Sequence, residues 1–476
     1  MAIKVFNTLT RKKEELVPLR PGEIRMYVCG VTVYDLSHIG HGRSALAFDV
    51  IRRYLRYRGY EVRFIRNFTD VDDKIIKRAH EEGVPPGELA ERYIEEYRKD
   101  MAALAILPAD VEPKATDHIP QMIKLIERLV AKGVAYLLDG DVYFEVKRFP
   151  RYGRLSGKNL DELQAGARVE VDERKRDPLD FALWKASKEG EPAWPSPWGP
   201  GRPGWHIECS AMSMQYLGES FDIHAGGEDL VFPHHENEIA QSEAATGRPF
   251  VRYWIHNGFV NLGAEKMSKS LGNVLTLKEL LRHHEPEALR LYLLGTHYRN
   301  PLDFSNERVA EAARALERFR NLFEEADRLA AKGTPAPGRD QGLLEEVAEA
   351  RRRFEEVMDD DFNTAQAVAV LFDLAHRLQS FKSKVTQREA AAGAFLLGVG
   401  ELMSLGQVLG LFEEPSRPSQ AVDLELRGKI EALVNARAEA RQRRDWAGAD
   451  RLRDELARLG VTVEDGPEGT TWKWKP

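Results

Sequence analysis

Four basic side chains form two pairs with the same spacing, far apart in the chain. His38-Ile39-Gly40-His41 places two imidazoles three residues apart around a glycine. Lys266-Met267-Ser268-Lys269-Ser270 places two ammonium groups three apart, with hydroxyls beside them, on a stretch entered through Gly263 and left through Gly272. Lysine is a hydrated point charge on a flexible stem, suited to polyphosphate. Flanking glycines let a segment move over a ligand. Gly40 lets the backbone come close to a ligand, and a phosphate at a helix start meets free N–H groups and the helix dipole. The plain alternatives are a helix cap or surface solvation for the histidines, and a solvated basic turn for the lysines.

Sulfur and acid groups make a second constellation. The two cysteines are Cys29 and Cys209, and His234 and Glu238 stand i and i+4 on one helical face. Two thiolates, an imidazole and a carboxylate would suit zinc. Lone cysteines also serve as small buried hydrophobes, so the set rests on its placement. Asp70-Val71-Asp72-Asp73 lacks the later ligands of a calcium loop. It reads as a helix N-cap, with a role in orienting substrate left open.

The elements that must hold these groups follow from the pattern. Ile24 to Cys29 is a strand stopping at Gly30. A turn carries the histidines to a helix from Ser44 to Arg58, and Glu61 to Phe68 is a second strand. Strand, glycine turn, helix and strand make a βαβ unit. The stretch from 115 to 200 breaks that rhythm and reads as an insertion. The pattern returns at Gly204-Trp205-His206-Ile207-Glu208-Cys209, with a helix following to about Tyr216. Phe221 to His224 is a strand, and a proline-led helix starts at Pro233. In a mostly parallel sheet, Cys29, Cys209 and the His234/Glu238 helix would meet at the carboxyl edge, where ligands bind. Beyond about residue 305 apolar residues recur at three and four, the pattern of a helical bundle. Lys332 to Gln341 and Glu413 to Gln420 are linkers. Helices over Leu424 to Arg443 and Trp446 to Leu459 and a hairpin over Val461 to Trp474 close the chain. A mild basic excess there, with Trp446, Trp472 and Trp474, could serve unpaired bases or only a solvated helix pair.

The 476 residues allow two to four domains. Hydrophobic content of 43% and charged content of 30% are those of a soluble globular chain. Two cysteines make no disulfide framework, and no apolar run is long enough for a membrane span, so a cytoplasmic enzyme without membrane contact is expected. The net charge of -7 does not favour nucleic acid overall, yet leaves room for a local basic face.

The two basic motifs, HIGH and KMSKS, resemble the signatures of the class I aminoacyl-tRNA synthetases. Over essentially its full length the chain resembles the cysteinyl-tRNA synthetase family. The resemblance is carried by Cys29 to Asp35, Phe68 to Lys74, Gly204 to Ser210, Asp222 to His224, Phe232 to Glu238, the KMSKS run and Asp465 to Trp472. One departure is Val31, where the family usually has proline. It loosens the turn after Cys29 and leaves every candidate ligand in place. The resemblance implies an α/β fold: a Rossmann-like parallel-sheet catalytic domain split by a short connective insertion, then an α-helical bundle and a small C-terminal module. The expected bounds are 1–115 and 204–262 for the two catalytic halves and 116–203 for the insertion. The KMSKS loop and stem-contact region take 263–310, the bundle 311–412 and the anticodon-binding module 421–476.

It further implies ATP-dependent activation of L-cysteine and transfer to the 3′-terminal adenosine of tRNA(Cys). Zn2+, one per chain, falls on Cys29, Cys209, His234 and Glu238. ATP with Mg2+ falls on His38, Gly40, His41, Asp229, Lys266 and Lys269, with the two histidines and two lysines catalytic. Thr69, Trp205 and His224 resemble pocket residues for cysteine. A thiolate–zinc bond separates cysteine from serine better than cavity size can, which fits the absence of room for an editing domain. A monomer is expected. Two other functions share parts of this pattern. A cysteine ligase acting on an amino sugar would lack the end beyond Leu424, and a synthetase-derived RNA-binding protein could lose the lysines or ligands without cost.

Overall fold

The computed structural model describes residues 2–157, 159, 174–262, 265–266, 275–331, 340–385, 389–413, 432–441, 443, 445–458, 461–466 and 469–474. Lys269 and the rest of the KMSKS run after Lys266 lie outside the described residues, as do most of both expected linkers and the start of the C-terminal module. The chain divides into two compact units, Met1–Phe412 and Glu413–Pro476.

The first unit is built on a parallel sheet. Strand β1 (Glu23–Thr32) leads to helix α1 (Ile39–Tyr57) and strand β2 (Glu61–Thr69). Helices α2 (Asp73–Glu82) and α3 (Pro86–Ala103) follow. After the insertion come α4 (Trp205–Leu217), β3 (Phe221–Gly227), α5 (Glu236–Thr246) and β4 (Val251–Asn257). The strand order is β4-β3-β1-β2, every neighbour parallel. Ile24, Met26, Val62, Phe64, Phe221 and Ile223 are buried, because a parallel sheet is covered on both faces. The chain runs outward from β1 to β2, then returns to the other side of β1 for β3 and β4. The carboxyl ends of β1 and β3 therefore flank the point where progression reverses, and a crevice opens there.

Three boundaries differ from the pattern reading, each for a local reason. Helix α1 begins at Ile39 rather than near Ser44, because His38 and His41 form a reciprocal capping box with the backbone of its first turn. Helix α4 is already helical at Trp205, with Gly204 as its N-cap. Helix α5 begins at Glu236 rather than Pro233, since Val231–His235 forms a wider turn interrupted by extended backbone at Phe232. Asp72 does cap α2, accepting from the Lys74 N–H at 2.9 Å.

The insertion forms a four-stranded antiparallel sheet over Ala135–Leu138, Asp141–Phe144, Phe181–Ala186 and Gly201–Pro203. Its Val142, Phe144 and Trp184 share one apolar core with Ile207 and Met212 of α4. Helices Asn306–Ala331, Gln341–Asp359, Thr364–Val385 and Glu389–Val408 form the bundle. They share a core with α1 through residues such as Phe354, Phe362 and Tyr54. In the second unit residues 432–441 and Trp446–Arg458 are helical, and Val461–Gly466 pairs antiparallel with Gly469–Trp474.

Candidate active site

Cys29 sits near the end of β1, where the ladder to β2 shifts register between Val28 and Val31. Gly30 makes the bulge possible, since a Cβ there would lie 1.6 Å from the Asn67 carbonyl oxygen. The Gly30 N–H instead donates to Asn67 Oδ1 at 2.8 Å. This turns Cys29 toward Cys209, which α4 delivers from its second turn. His234 and Glu238 arrive from the turn before α5 and from α5 itself.

The four donors converge. Cys29 Sγ lies 3.6 Å from Cys209 Sγ, 3.5 Å from His234 Nε2 and 3.5 Å from Glu238 Oε1. His234 Nε2 is 3.1 Å from Glu238 Oε1. Ligands of a tetrahedral zinc with bonds of about 2.0–2.3 Å stand roughly 3.3–3.8 Å from one another; the three distances from Cys29 fall in that range, and the His234–Glu238 pair is slightly closer. Burial by itself would push the Glu238 carboxyl up, but His224 and His234 hold it down to about 2. Burial would lower His234, yet Glu238 and Cys209 raise it to about 10. A hydrogen bond from Cys29 brings the Cys209 thiol down to about 6, and burial drives the Cys29 thiol well up. The shifts at Cys209 and Glu238 thus both favour the anionic form beside His234.

A second set of possible ligands, Cys29, His224, His235 and Glu238, overlaps the first. In it His235 Nε2 also reaches the thiol, 3.3 Å from Cys29 Sγ. His224 Nε2 bonds Glu238 Oε2 at 2.8 Å. His235 Nδ1 meets His256 Nε2 at 2.8 Å, and His256 Nδ1 meets the Thr8 hydroxyl at 2.8 Å. On the other flank His206 Nδ1 lies 3.0 Å from His234 Nδ1. Such outer partners fix the orientation of ligating groups. Burial holds His206 and His235 well below the usual imidazole range.

A cavity of about 510 Å3 opens beside the cluster. Cys29, His38, Gly40, His41, Trp205 and Asp229 all line it. The His38 and His41 rings stack at 3.6 Å, with their Nδ1 atoms bonded to the cap. The capping role and a place in the cavity thus coexist. Trp205 is 38% exposed and lies 4.3 Å from the His234 ring, walling the cavity over the cluster. Asp229 stands against Gly227, where a Cβ would come 2.4 Å from its Oδ1. Thr69 and His224 are buried behind this surface. Thr69 donates to Glu208 Oε2 at 2.9 Å, and His224 keeps an unpartnered Nδ1. Lys266 is placed only as part of a short strand paired with Asn261.

The sequence reading did not single out His206, His235, His256 or Asn67. Their signal was available in part, because His206 and His235 sit inside runs that carried other candidates. What was missing is that α4, the turn before α5, β4 and β2 bring them around one point.

Residues 15–314 match the family model for the class I (C) tRNA synthetase catalytic domain. Residues 353–413 match the DALR domain, and 423–472 the cysteinyl-tRNA ligase anticodon binding domain. The chain is 56% identical over 486 residues to the cysteine–tRNA ligase of Geobacter sulfurreducens, covering 100% of both chains. It is 54% identical over 479 residues to that of Alkalilimnicola ehrlichii, covering 99% of each. In fold it resembles Mycobacterium tuberculosis methionyl-tRNA synthetase in complex with methionyl-adenylate, with a TM-score of 0.64 at 18% identity over 90% of this chain and 96% of that one. Identity of this extent over the whole chain, together with all three domain models, shows that the chain belongs to the cysteine–tRNA ligase family of class I aminoacyl-tRNA synthetases.

Proposed function

We propose a division of labour within the cavity for the family's reaction, the ATP-dependent joining of L-cysteine to tRNA(Cys). Cys29, Cys209, His234 and Glu238 would hold one zinc ion. Zinc bound there would supply a direct bond to the thiolate of the substrate cysteine, which a serine hydroxyl matches poorly. Trp205 closes the side of that seat and excludes water, while His206 and His224 keep His234 and Glu238 in position. The cysteine carboxylate attacks the α-phosphorus of ATP, the bond to the β-phosphate breaks, and pyrophosphate leaves. Positioning and charge stabilisation suffice, and no protein nucleophile is needed.

His38, Gly40 and His41 serve the phosphates at the start of α1, and Asp229 accepts from the ribose hydroxyls. Lys266 and Lys269 stabilise the departing pyrophosphate, with Mg2+ accompanying the nucleotide. The 2′-hydroxyl of the terminal adenosine then attacks the adenylate carbonyl, and AMP leaves. Residues 421–476 serve the anticodon. None of the described helices is long and apolar enough to cross a membrane. We read the enzyme as a cytoplasmic monomer.

The observation that carries this reading is the convergence of four donors beside the cavity, three of them buried and Cys29 partly so. Zinc content and cysteine-dependent ATP–pyrophosphate exchange, measured on one preparation, test it. About one zinc per chain is expected, and His234→Ala should depress cysteine activation far more than ATP binding. Metal-free protein that retains full exchange with cysteine would overturn the assignment.

A further inference from the structure

The cavity has a cationic wall that the roles above leave unused. Arg66 of β2 and Lys74 of α2 both line it. Arg66 is only 7% exposed, and its Nη2 is buried without a hydrogen-bond partner. Its Nη1 donates to the Tyr97 hydroxyl at 3.3 Å, and its guanidinium lies over the Phe64 ring at 5.2 Å. Among the described residues neither Arg66 nor Lys74 has a carboxylate partner. A buried guanidinium without a counter-charge is costly, so the fold carries Arg66 at a loss unless something anionic reaches it.

The nearby carboxylates are engaged elsewhere. Asp70 accepts from the Thr116 N–H at 3.0 Å and hydroxyl at 2.5 Å. Asp72 caps the backbone of α2. Asp73 is held by Lys185 at 2.8 Å and by Arg202. Lys74 is left exposed, with its ammonium 5.4 Å from the centre of the Tyr34 ring.

We propose that Arg66 and Lys74 form a phosphate subsite that seats one of the last two phosphodiesters of the tRNA 3′ end, while the terminal ribose reaches the adenylate. Resting on the ligase reading, this names where the second substrate is gripped. Exposed Lys74 offers a mobile point charge that can meet a phosphate oxygen directly, and Arg66, almost wholly buried, adds a fixed positive charge in the wall. ATP is the other source of phosphate. Its residues Asp229 and Gly40 follow β3 and open α1, whereas Arg66 and Lys74 belong to β2 and α2, the far edge of the sheet order β4-β3-β1-β2. The insertion's Lys185 and Arg202 bind α2 at Asp73, so this wall adjoins the insertion rather than the nucleotide side.

The test uses full-length, zinc-loaded protein and two RNAs, natural tRNA(Cys) and the same RNA with uncharged methylphosphonates at its last two linkages. Lys74→Gln and Arg66→Gln should each lower kcat/KM for natural RNA about tenfold, the worth of one charge-assisted contact. The KM for ATP in exchange should stay within about twofold. With the uncharged linkages the wild type should fall similarly, and the variants should lose nothing more. Salt dependence of RNA binding should drop by about one counterion per residue replaced. Equal penalties on both RNAs, no penalty on either, or a loss concentrated in the ATP arm would overturn the proposal. Arg66→Gln is buried and could misfold, in which case exposed Lys74→Gln decides. Wild-type protein that exchanges with cysteine but cannot charge natural tRNA would instead overturn the ligase reading itself.

Discussion

Asp49 offers a direct measure of what ties the catalytic helix to the rest of the first unit. Its side chain is 1% exposed and receives Arg52 at 2.7 Å, Arg53 at 2.8 Å and Arg290 at 3.0 Å. The Leu107 N–H donates to it as well, at 3.2 Å. Arg290 comes from helix Pro286–Leu294 and also donates to the Leu409 and Leu104 carbonyls. One carboxylate therefore joins α1, the chain after α3 and the end of the bundle. Burial would raise its pKa, yet the three arginines hold it below the usual carboxylate range.

Asp49→Asn keeps the shape, removes the charge and turns an amide N–H2 toward arginine donors. The buried Arg52 guanidinium then loses the carboxylate it is paired with. Breaking a buried pair costs about 3–5 kcal/mol, a large share of the roughly 5–15 kcal/mol that holds a domain folded. The contrast is Arg56–Asp110, 3.0 Å apart but 41% and 38% exposed, where Asp110→Asn tests an ion pair worth about 1 kcal/mol or less. Asp110 also accepts from the Phe64 N–H, a bond that an asparagine oxygen can keep. Urea unfolding followed by tryptophan fluorescence compares the two. A cost for Asp49→Asn no larger than for the exposed pair would refute the reasoning.

Two other outcomes follow from the same structure. Asp100 is buried with Oδ2 unpartnered, and burial next to Glu96 pushes its carboxyl up to about 6. The folded chain therefore binds this proton more tightly than the unfolded chain, whose aspartate titrates near 3.9. The stability gained from protonation is complete below that value and is lost as pH rises through about 6. Asp100→Asn should accordingly be more stable than wild type at pH 7 by about 1–3 kcal/mol and indistinguishable near pH 4. Melting curves with a pH-independent difference would count against it. Ending the chain at Phe412, the boundary between the two compact units, should leave cysteine-dependent exchange nearly intact and cripple charging of tRNA. Parallel loss of exchange and melting temperature would make the second unit a stability clamp instead.

The sequence by itself determined the chemistry on offer and the class of scaffold. HIGH and KMSKS, the His234/Glu238 spacing and the two lone cysteines are local facts of residue type, as is the change of apolar period from sheet-and-helix to bundle. Even a cap from the Asp70–Asp73 run was legible, because a cap is a contact between neighbours in the chain, though only the structure picked Asp72. Convergence was not. Cys29 and Glu238 are 209 residues apart, and their 3.5 Å contact exists because β1 bulges at Gly30 while α4 and α5 aim at the same point. Tertiary structure also decided what His224 and Thr69 face, since a strand position does not say which neighbour fills the space beside it. It alone revealed Arg66 as a buried cation without a carboxylate partner among the described residues. An unsatisfied charge is a property of everything around a residue, and that list is written only when the chain has folded.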